Sequence, residues 1–554
     1  MWCALREQGH TVAVEFAGDE ESIAEAARRA DPELILCPFL KERVPTEVCQ
    51  KWHTVIIHPG PVGDRGPSSL DWAITDGETH WGVTALQAVE EMDAGPVWAS
   101  RTFPLPADPP TKSSLYNGLV ADAALSCVEE VLAKVADPKF RPARPEKLRK
   151  PVKSARTRPV MRQADRAFAW GDSAETIVRK VRAADGSPGV RTEVAGLEVW
   201  AFDAHVGPRQ SDPPGTVVAC RDGSVLVAAG VGSVWLGQLK DPDGRQGMKL
   251  PATMVLGDRL PSGLSARSPA PAKPEQGGPG RIHYVRRDDI GYVVLDCYNG
   301  ALSTEACNQA LHALRQAIGQ DTTAIVVRGG SGPFCNGIHL NRIQAAENPP
   351  AEAWANITAI NDICRELINC RRQVTIAAFT GSAGAGGVML ALGADLVVAR
   401  DGVVLNPYYE MGLIGSELHT YTLPRRVGQE QSRRLLAEKL PVCAEAARRL
   451  GLVNEVGPRD PATFDSWLHE VALRYRDRRL RDHTLTRKAG VLDRDLGTRP
   501  LDAYEARELG EMAQDMFDDR HGFAAARRAF VYKHAADRTP ARLALHRQPG
   551  FVRD

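Results

Sequence analysis

The sequence predicts an α/β protein that is built from more than one domain. Strand-like and helix-like stretches alternate in residues 11–57 and again in residues 291–328, which is typical of parallel sheets covered by helices. Between them, residues 164–235 carry short strand-like runs separated by glycine and proline, a pattern that indicates a small β-barrel. At 554 residues the chain also exceeds the size of a single core, so we expect two or three domains.

The first region contributes three strands and one helix. Residues 11–16 (TVAVEF), 34–37 (LILC) and 54–57 (TVII) read as strands, and residues 20–30 read as a helix. Such a sheet binds ligands at the carboxyl ends of its strands. The sequence opens on a stretch that ends a helix, whereas a doubly wound sheet begins with a strand, so we expect a further strand ahead of residue 1.

Shifts in composition divide the chain into four segments. We assign residues 1–155 to the first sheet domain and residues 156–258 to the small β domain. Residues 259–280 are rich in proline, glycine, serine and alanine and have the composition of a flexible linker. Residues 281–554 form a second α/β unit with a charged helical tail. The first elements of that unit are a strand at 291–297, a helix at 305–318 and a strand at 323–328.

Composition argues against several classes of function. Basic and acidic residues both number 69, and no basic stripe suggests a nucleic-acid partner. No apolar stretch has the length needed to span a bilayer. The 11 cysteines are scattered, without a Cys-x-x-Cys pair, which favours a reducing, cytoplasmic setting. We expect no bound metal, because His10, His53, His58 and His80 lack the spacing of metal ligands.

A histidine follows the third strand-like run. His58-Pro59-Gly60 continues into the glycine-rich residues 63–67, and Gly82-Val83-Thr84 and Asp93 come later. A histidine at a strand exit lies where such sheets bind ligands, and a carboxylate from a later loop can orient it. Taken singly, His58 also fits a strand-end histidine with a satisfied ring and Asp93 a turn residue. The joint pattern favours a catalytic pair.

Over about residues 1–240 these motifs resemble the formyltetrahydrofolate-dependent formyltransferase and hydrolase family. The resemblance implies a doubly wound formyltransferase-like sheet, an OB-like β domain after it, N10-formyl-tetrahydrofolate as cofactor, and His58 with Asp93 as the catalytic pair. The implied folate-site residues are Phe39, Leu40, Gly60, Asp64, Gly82 and Thr84. The asparagine of the family falls at Ile56, so one oxyanion donor is missing. Formyl transfer to methionyl-tRNA or to a sugar is therefore not expected.

Two glycine-containing turns follow strands in the second α/β unit. One turn lies in residues 334–340 and the other in residues 380–390. Each can present a free backbone N–H at the start of a helix. Two such amides aimed at one point form an oxyanion hole for a thioester carbonyl, although each turn also fits tight packing.

These turns resemble the crotonase (enoyl-CoA hydratase/isomerase) family over about residues 282–460. The resemblance implies a crotonase-like α/β spiral domain in which the amides of Ile338 and Gly386 form the oxyanion hole. The implied coenzyme A site contains Gly337, Gly384 and Gly387. The two catalytic glutamates of hydratases fall at Met389 and Tyr408, so addition of water to a double bond is not expected.

A polar cluster stands in place of those glutamates. It consists of Tyr408, Tyr409, Glu410, Glu417 and His419. Tyr408 and Glu417 are the candidate catalytic groups, because either could relay a proton near a bound formyl thioester, although each also fits a core or surface position.

The last helix-like stretch, residues 523–533, ends in Lys533. The crotonase resemblance implies that Lys533 contacts the nucleotide end of coenzyme A, with a solvated lysine as the alternative.

Together the two halves resemble the HypX (HoxX) family of nickel–iron hydrogenase maturation factors. Further residues that carry the resemblance are Gly63-Asp64-Arg65-Gly66-Pro67 and Gly415-Ser416-Glu417. The resemblance implies transfer of a formyl group from folate to coenzyme A, and decarbonylation of formyl-CoA to carbon monoxide for the hydrogenase iron. It implies small-molecule substrates, with the hydrogenase large subunit or other maturation proteins as partners. A formyl-folate hydrolase fused to an acyl-CoA hydrolase or isomerase, and a non-catalytic scaffold that binds folate and coenzyme A, remain alternatives.

Overall fold

The computed structural model describes residues 1–16, 18–40, 42–148, 150–242, 247–264, 282–534 and 538–548. Most of the predicted linker, residues 265–280, lies outside the described residues. The helices are α1 (Trp2–Glu7), α2 (Glu20–Ala30), α3 (Thr46–Lys51), α4 (Ser69–Asp76), α5 (Lys112–Asn117), α6 (Leu119–Val135), α7 (Gln163–Arg166), α8 (Ala174–Ala183), α9 (Ala252–Leu256), α10 (Thr304–Ile318), α11 (Leu340–Ala345), α12 (Pro349–Asn369), α13 (Gly386–Ala391), α14 (His419–Val427), α15 (Gln429–Glu438), α16 (Ala444–Leu450), α17 (Pro461–Leu473), α18 (Arg478–Thr498), α19 (Leu501–Phe517) and α20 (Phe523–Val531). The strands are β1 (Leu34–Pro38), β2 (His53–His58), β3 (His80–Gln87), β4 (Val97–Pro104), β5 (Val190–Val194), β6 (Leu197–Gly207), β7 (Val217–Arg221), β8 (Ser224–Ala228), β9 (Ser233–Lys240), β10 (Lys249–Pro251), β11 (Ile282–Arg287), β12 (Ile290–Leu295), β13 (Ala324–Gly329), β14 (Val374–Phe379), β15 (Ala383–Gly384), β16 (Leu396–Arg400), β17 (Val404–Asn406), β18 (Val442–Cys443) and β19 (Glu455–Gly457).

The N-terminal sheet has the strand order β1-β2-β3-β4 and packs against α6. Strands β1 and β2 are parallel, as predicted, with Cys37 opposite Ile56. Strands β3 and β4 run antiparallel to their neighbours, so the sheet is mixed beyond the first pair. The connection between β3 and β4 is too short to hold the crossover helix that parallel neighbours need.

Residues 11–16 do not form the predicted strand. The Val14 N–H donates to the carbonyl of Leu543 (2.8 Å), and the Phe16 N–H donates to Oγ1 of Thr539 (2.7 Å). The segment therefore meets its need for backbone hydrogen bonds on a distant part of the chain instead of on β1. The neighbouring helix α2 matches its prediction, and the side chain of Asp19 caps it.

The middle part is an antiparallel sheet with the strand order β5-β6-β9-β8-β7, and β10 pairs with β9. Helix α8 packs against β6. The inward face of this sheet is built from small and branched apolar side chains, among them Val199, Ala201, Val225, Val234 and Leu236. The predicted small β domain is confirmed.

The C-terminal part contains a sheet with the strand order β11-β12-β13-β14-β16-β19, which is parallel from β12 onward. A smaller sheet, β15-β17-β18, stands beside it and begins at one of the glycine turns. Helices α17 to α20 form the predicted tail, in which α19 packs on α12 and α14. Among the described residues, no helix has both the length and the apolarity that a membrane crossing requires.

Candidate active sites

His58 lies at the end of β2 with a carboxylate on each side of its ring. Its Nε2 is 2.9 Å from Oδ2 of Asp64, and its Nδ1 is 3.4 Å from Oδ2 of Asp93. His58 and Asp64 are buried, and the side chain of Asp93 is 9% exposed. A neutral imidazole carries one N–H, so both nitrogens donate only when the ring is protonated. The arrangement orients the ring for proton transfer to or from a bound ligand.

Glycine and threonine hold the loop that follows this histidine. A Cβ at Gly60 would lie 2.4 Å from Nε2 of His58 and 2.3 Å from Oδ2 of Asp64, so a side chain there would displace both groups. The Thr84 hydroxyl donates to the carbonyl of Gly60 (2.8 Å) and joins this loop to β3. On the same strand, Gly82 allows the close approach of Arg101, whose carbonyl would lie 2.6 Å from a Cβ. Gly60 and Thr84 therefore lie next to His58, and Gly82 lies against Pro61 of the following loop.

Three other positions of the first site have different surroundings. Phe39 follows β1 in a left-handed conformation (φ 57°) and packs edge-on against Tyr116, with ring centroids 5.2 Å apart. Leu40 packs on the apolar cluster between α2 and β1. Ile56, in the place of the family's asparagine, packs in the same cluster, and its side chain can donate no hydrogen bond. The predicted folate-site residue Asp64 lies directly against His58.

In the C-terminal part the two glycine turns meet, as the sequence predicts. A Cβ at Gly337 would lie 3.5 Å from the backbone nitrogen of Gly386, the first residue of α13. A Cβ at Gly387 would lie 2.0 Å from the Cys335 carbonyl, so only glycine permits this packing. Across the described residues, neither the Ile338 N–H nor the Gly386 N–H has a hydrogen-bond partner. Two free amides so close together can polarise one carbonyl oxygen.

The carboxylate of Glu417 lies against Gly386. Its Oε1 is only 2.0 Å from the position of a Cβ at Gly386, while its Oε2 accepts hydrogen bonds from the Tyr409 hydroxyl (2.6 Å) and the Ser416 N–H (3.0 Å). Burial raises the pKa of Glu417 to about 7; those two hydrogen bonds oppose the rise, and the nearby charge of Glu508 adds to it. A carboxyl group with this pKa can accept or donate a proton near neutral pH.

The structure separates the two tyrosines of the predicted cluster. The Tyr408 hydroxyl donates to Oδ1 of Asn406 (3.4 Å), and the guanidinium of Arg542 lies 5.9 Å from the Tyr408 ring, so Tyr408 is not the group that contacts Glu417. Tyr409 makes that contact. The two tyrosines are neighbours in an irregular loop after β17, so no strand alternation in the sequence distinguishes them.

The remaining members of the predicted site lie around Glu417 or away from it. Met389, at one hydratase glutamate position, is fully buried in α13. His419 is buried, and its Nδ1 lies 2.7 Å from the Ser416 carbonyl. Glu410 is exposed and pairs with Arg542. The predicted coenzyme A residue Gly384 lies in β15, and its N–H donates to the carbonyl of Cys335 (3.1 Å).

Lys533 lies after α20, near the junction of the middle and C-terminal parts. Its Nζ is 4.2 Å from the centroid of the Phe530 ring, and burial lowers the pKa of this lysine. In the same junction Nζ of Lys249 donates to the Tyr298 hydroxyl (2.9 Å), which donates to Asp185 (2.7 Å). Burial lowers the pKa of Lys249 to about 8, and the charge of Lys533 contributes to this effect. The two lysines therefore lie in one junction, where Asp185 and Asp203 also act on Lys249.

The fold and the two sites define a class of protein in which a formyltransferase-like half is joined to an enoyl-CoA hydratase-like half. Sequence comparison gives the same division. Residues 13–130 match the family "Formyl transferase", residues 160–253 match "Formyl transferase, C-terminal domain", and residues 295–474 match "Enoyl-CoA hydratase/isomerase".

Relatives that match nearly the whole chain narrow this class. The hydrogenase maturation factor HoxX of Bradyrhizobium diazoefficiens is 36% identical over 548 residues, which cover 98% of this chain and 94% of that protein. The crystal structure of HypX from Aquifex aeolicus in complex with tetrahydrofolic acid has a TM-score of 0.93 at 37% identity and covers 100% of this chain and 96% of that chain. A methionyl-tRNA formyltransferase of Sorangium cellulosum is 29% identical over 251 residues, 45% of this chain and 75% of that protein. The chain belongs to the HoxX/HypX family of hydrogenase maturation factors, as the sequence motifs predict.

Proposed function

We propose that this protein transfers the formyl group of N10-formyl-tetrahydrofolate to coenzyme A and then decarbonylates formyl-CoA, so that carbon monoxide becomes available for the iron of a nickel–iron hydrogenase. The observation that carries the proposal is Glu417, a buried carboxylate with a pKa of about 7 that lies against Gly386. The tetrahydrofolic acid in the Aquifex HypX structure supports folate as the first ligand.

In the first step the coenzyme A thiol attacks the formyl carbon. A carbon–sulfur bond forms, the bond between the formyl carbon and N10 of the folate breaks, and the thiol proton moves to N10. His58, oriented by Asp64 and Asp93, accepts the proton from the thiol and delivers it to the nitrogen. The products are tetrahydrofolate and formyl-CoA, and no oxidant or reductant is needed.

In the second step formyl-CoA binds with its carbonyl oxygen on the amides of Ile338 and Gly386. This pose turns the formyl C–H toward Glu417, which takes the proton as the bond between carbon and sulfur breaks. Carbon monoxide leaves, and the thiolate recovers the proton as free coenzyme A. The step consumes no water, which agrees with the absence of a carboxylate at Met389.

Lys533 at the domain junction suits the anionic end of the shared substrate. Coenzyme A carries phosphates, and Lys533 offers an ammonium group to them. We extend the proposal to this contact, and to the hydrogenase large subunit or another maturation protein as the recipient of the carbon monoxide.

Tracing the formyl carbon tests the proposal. Purified protein is given carbon-13 formyl-tetrahydrofolate with and without coenzyme A, and the gas phase and solution are analysed by mass spectrometry and NMR. We expect labelled carbon monoxide only when coenzyme A is present, in amounts that match the tetrahydrofolate formed. Labelled formate without carbon monoxide would favour the hydrolase alternative, and unreacted formyl-folate would favour the scaffold.

A further inference from the structure

The turn that carries Glu417 has an uncommon backbone conformation. Glu417 (φ 60°) and Leu418 (φ 53°) are consecutive residues in the left-handed region, and neither is glycine. Leu418 is also fully buried, so its side chain cannot relax into solvent. Side chains with a Cβ rarely adopt this backbone, and it persists only where the surroundings enforce it. The surroundings of the turn therefore decide where the Glu417 carboxylate lies.

Those surroundings include a second buried carboxylate, Glu508, from the middle of α19. Its Oε2 accepts a hydrogen bond from the Leu418 N–H (3.0 Å), and its Oε1 accepts one from the Thr420 N–H (2.8 Å). The Ser416 hydroxyl lies within donating distance of the same carboxylate (3.2 Å). Glu508 is 1% exposed. It thus holds the chain on both sides of Glu417.

An amide from another helix completes this arrangement. Oδ1 of Asn361, on α12, accepts the N–H of Glu417 itself (2.9 Å). Because α19 packs on both α12 and α14, Glu508 and Asn361 approach the turn together. Residues 501–517 lie beyond the stretch that matches the hydratase family, which ends at residue 474. Part of the support of the turn therefore comes from residues beyond that matched stretch.

We propose that Glu508 is a positioning residue for decarbonylation: it locks the left-handed turn so that the Glu417 carboxylate stays beside the Gly386 amide. The proposal rests on the proposed function for the reaction that Glu417 serves. It adds that the C-terminal helical tail is part of the support of the active site.

Several ionisable groups face the Glu417 carboxylate. They are Tyr409 from the loop before the turn, Glu508 from α19, and the thiols of Cys307, Cys335 and Cys364 from α10, the first glycine turn and α12. Of these, the negative charge of Glu508 raises the pKa of Glu417. Loss of this charge should therefore move the pH dependence of the reaction downward, and any exposure of Glu417 would act in the same direction, because burial is the larger cause of its raised pKa.

The test compares Glu508→Gln with Glu511→Gln, a variant of the same helix at an exposed carboxylate that pairs with Arg520. The full-length proteins are supplied with formyl-CoA, and carbon monoxide release is followed across pH. For Glu508→Gln we expect kcat to fall by on the order of 100-fold, the effect of a misplaced catalytic group, with little change in KM and a lower midpoint of the pH profile. Glu511→Gln should match the wild type.

A crystal structure of each variant keeps the test independent of the assay. Withdrawal of Glu417 from Gly386 in Glu508→Gln alone would support the proposal, and an unchanged turn would overturn it. A pH midpoint that moves upward would also overturn it, because the loss of the Glu508 charge and the exposure of Glu417 both lower the pKa of Glu417. If the wild type releases no carbon monoxide, the proposed function fails, and the two structures still decide the positioning role.

Discussion

Replacement of Glu417 by glutamine should change activity and stability in opposite directions. Glutamine keeps the shape of glutamate, and its oxygen can still accept from the Tyr409 hydroxyl and the Ser416 N–H, but it cannot take the formyl proton. General bases contribute roughly 100- to 10,000-fold to a rate, so carbon monoxide release should fall at least about 100-fold.

The stability change follows from the raised pKa. Burial raises the pKa of Glu417 from 4.5 to about 7, so between these pH values the folded state binds more protons than the unfolded state. Stability then decreases as pH rises through this window, and the decrease is complete above it. At 1.36 kcal/mol for each pKa unit, the wild type loses up to roughly 3 kcal/mol by pH 8. Glutamine has no charge to bury and avoids this loss.

Thermal unfolding of both proteins near pH 5 and near pH 8 measures the difference. The variant should unfold several degrees above the wild type near pH 8, since 1 kcal/mol corresponds to about 2–4 °C in a domain of roughly 200 residues. Near pH 5 the gap should shrink. Glu410→Gln, at an exposed neighbouring carboxylate, is the control and should change neither property. Retained carbon monoxide release, or a variant that is destabilised most at high pH, would refute the reasoning.

Three further substitutions probe the two sites separately. Tyr409→Phe removes a hydrogen bond that lowers the pKa of Glu417, so the pH profile of carbon monoxide release should move upward; an unmoved midpoint would argue against the contact. Gly386→Ala places a Cβ 2.0 Å from the Glu417 carboxylate and should abolish decarbonylation. A Cβ at Gly332 meets nothing within 4 Å, so the control Gly332→Ala should keep the wild-type rate of decarbonylation. Equal rates in the two variants would contradict the close contact of Glu417 with Gly386. Asp64→Asn should slow formyl transfer by about 10- to 100-fold, as expected for a charge-assisted hydrogen bond of roughly 1.5–3 kcal/mol. It should leave the decarbonylation of supplied formyl-CoA unchanged. Equal damage to both rates would indicate misfolding.

Local patterns predict local structure well in this chain. Helix α2 and strand β2 coincide with their predictions because an amphipathic period and a run of branched apolar residues are each complete within a few positions. Residues 11–16 have the same strand-like pattern, yet they bond to residues 539 and 543, and no local signal reveals a partner more than 500 positions away. The antiparallel course of β3 and β4 depends likewise on the connection and not on the strands themselves.

Prediction of the two sites from the sequence is also limited to what local motifs encode. The strand-end motif predicts His58 and the glycine motifs predict two turns, because motif and backbone geometry are the same feature, while the choice of Ile338 and Gly386 comes from the family resemblance. The choice between Tyr408 and Tyr409 required the direction of each side chain, which the structure supplies. The approach of α19 to Glu417 arises only when distant segments pack, and the contact of Asp64 with His58 depends on the course of the loop between them.

The central claim is that one carbon atom passes through two sites, and its most direct test is to follow formyl-CoA in one variant of each site. With carbon-13 formyl-tetrahydrofolate and coenzyme A, Glu417→Gln should accumulate labelled formyl-CoA and release no carbon monoxide. His58→Ala should form neither product from formyl-folate but should release carbon monoxide from formyl-CoA that is supplied. The account would be contradicted if Glu417→Gln produced formate in place of formyl-CoA, or if His58→Ala still converted formyl-folate to carbon monoxide.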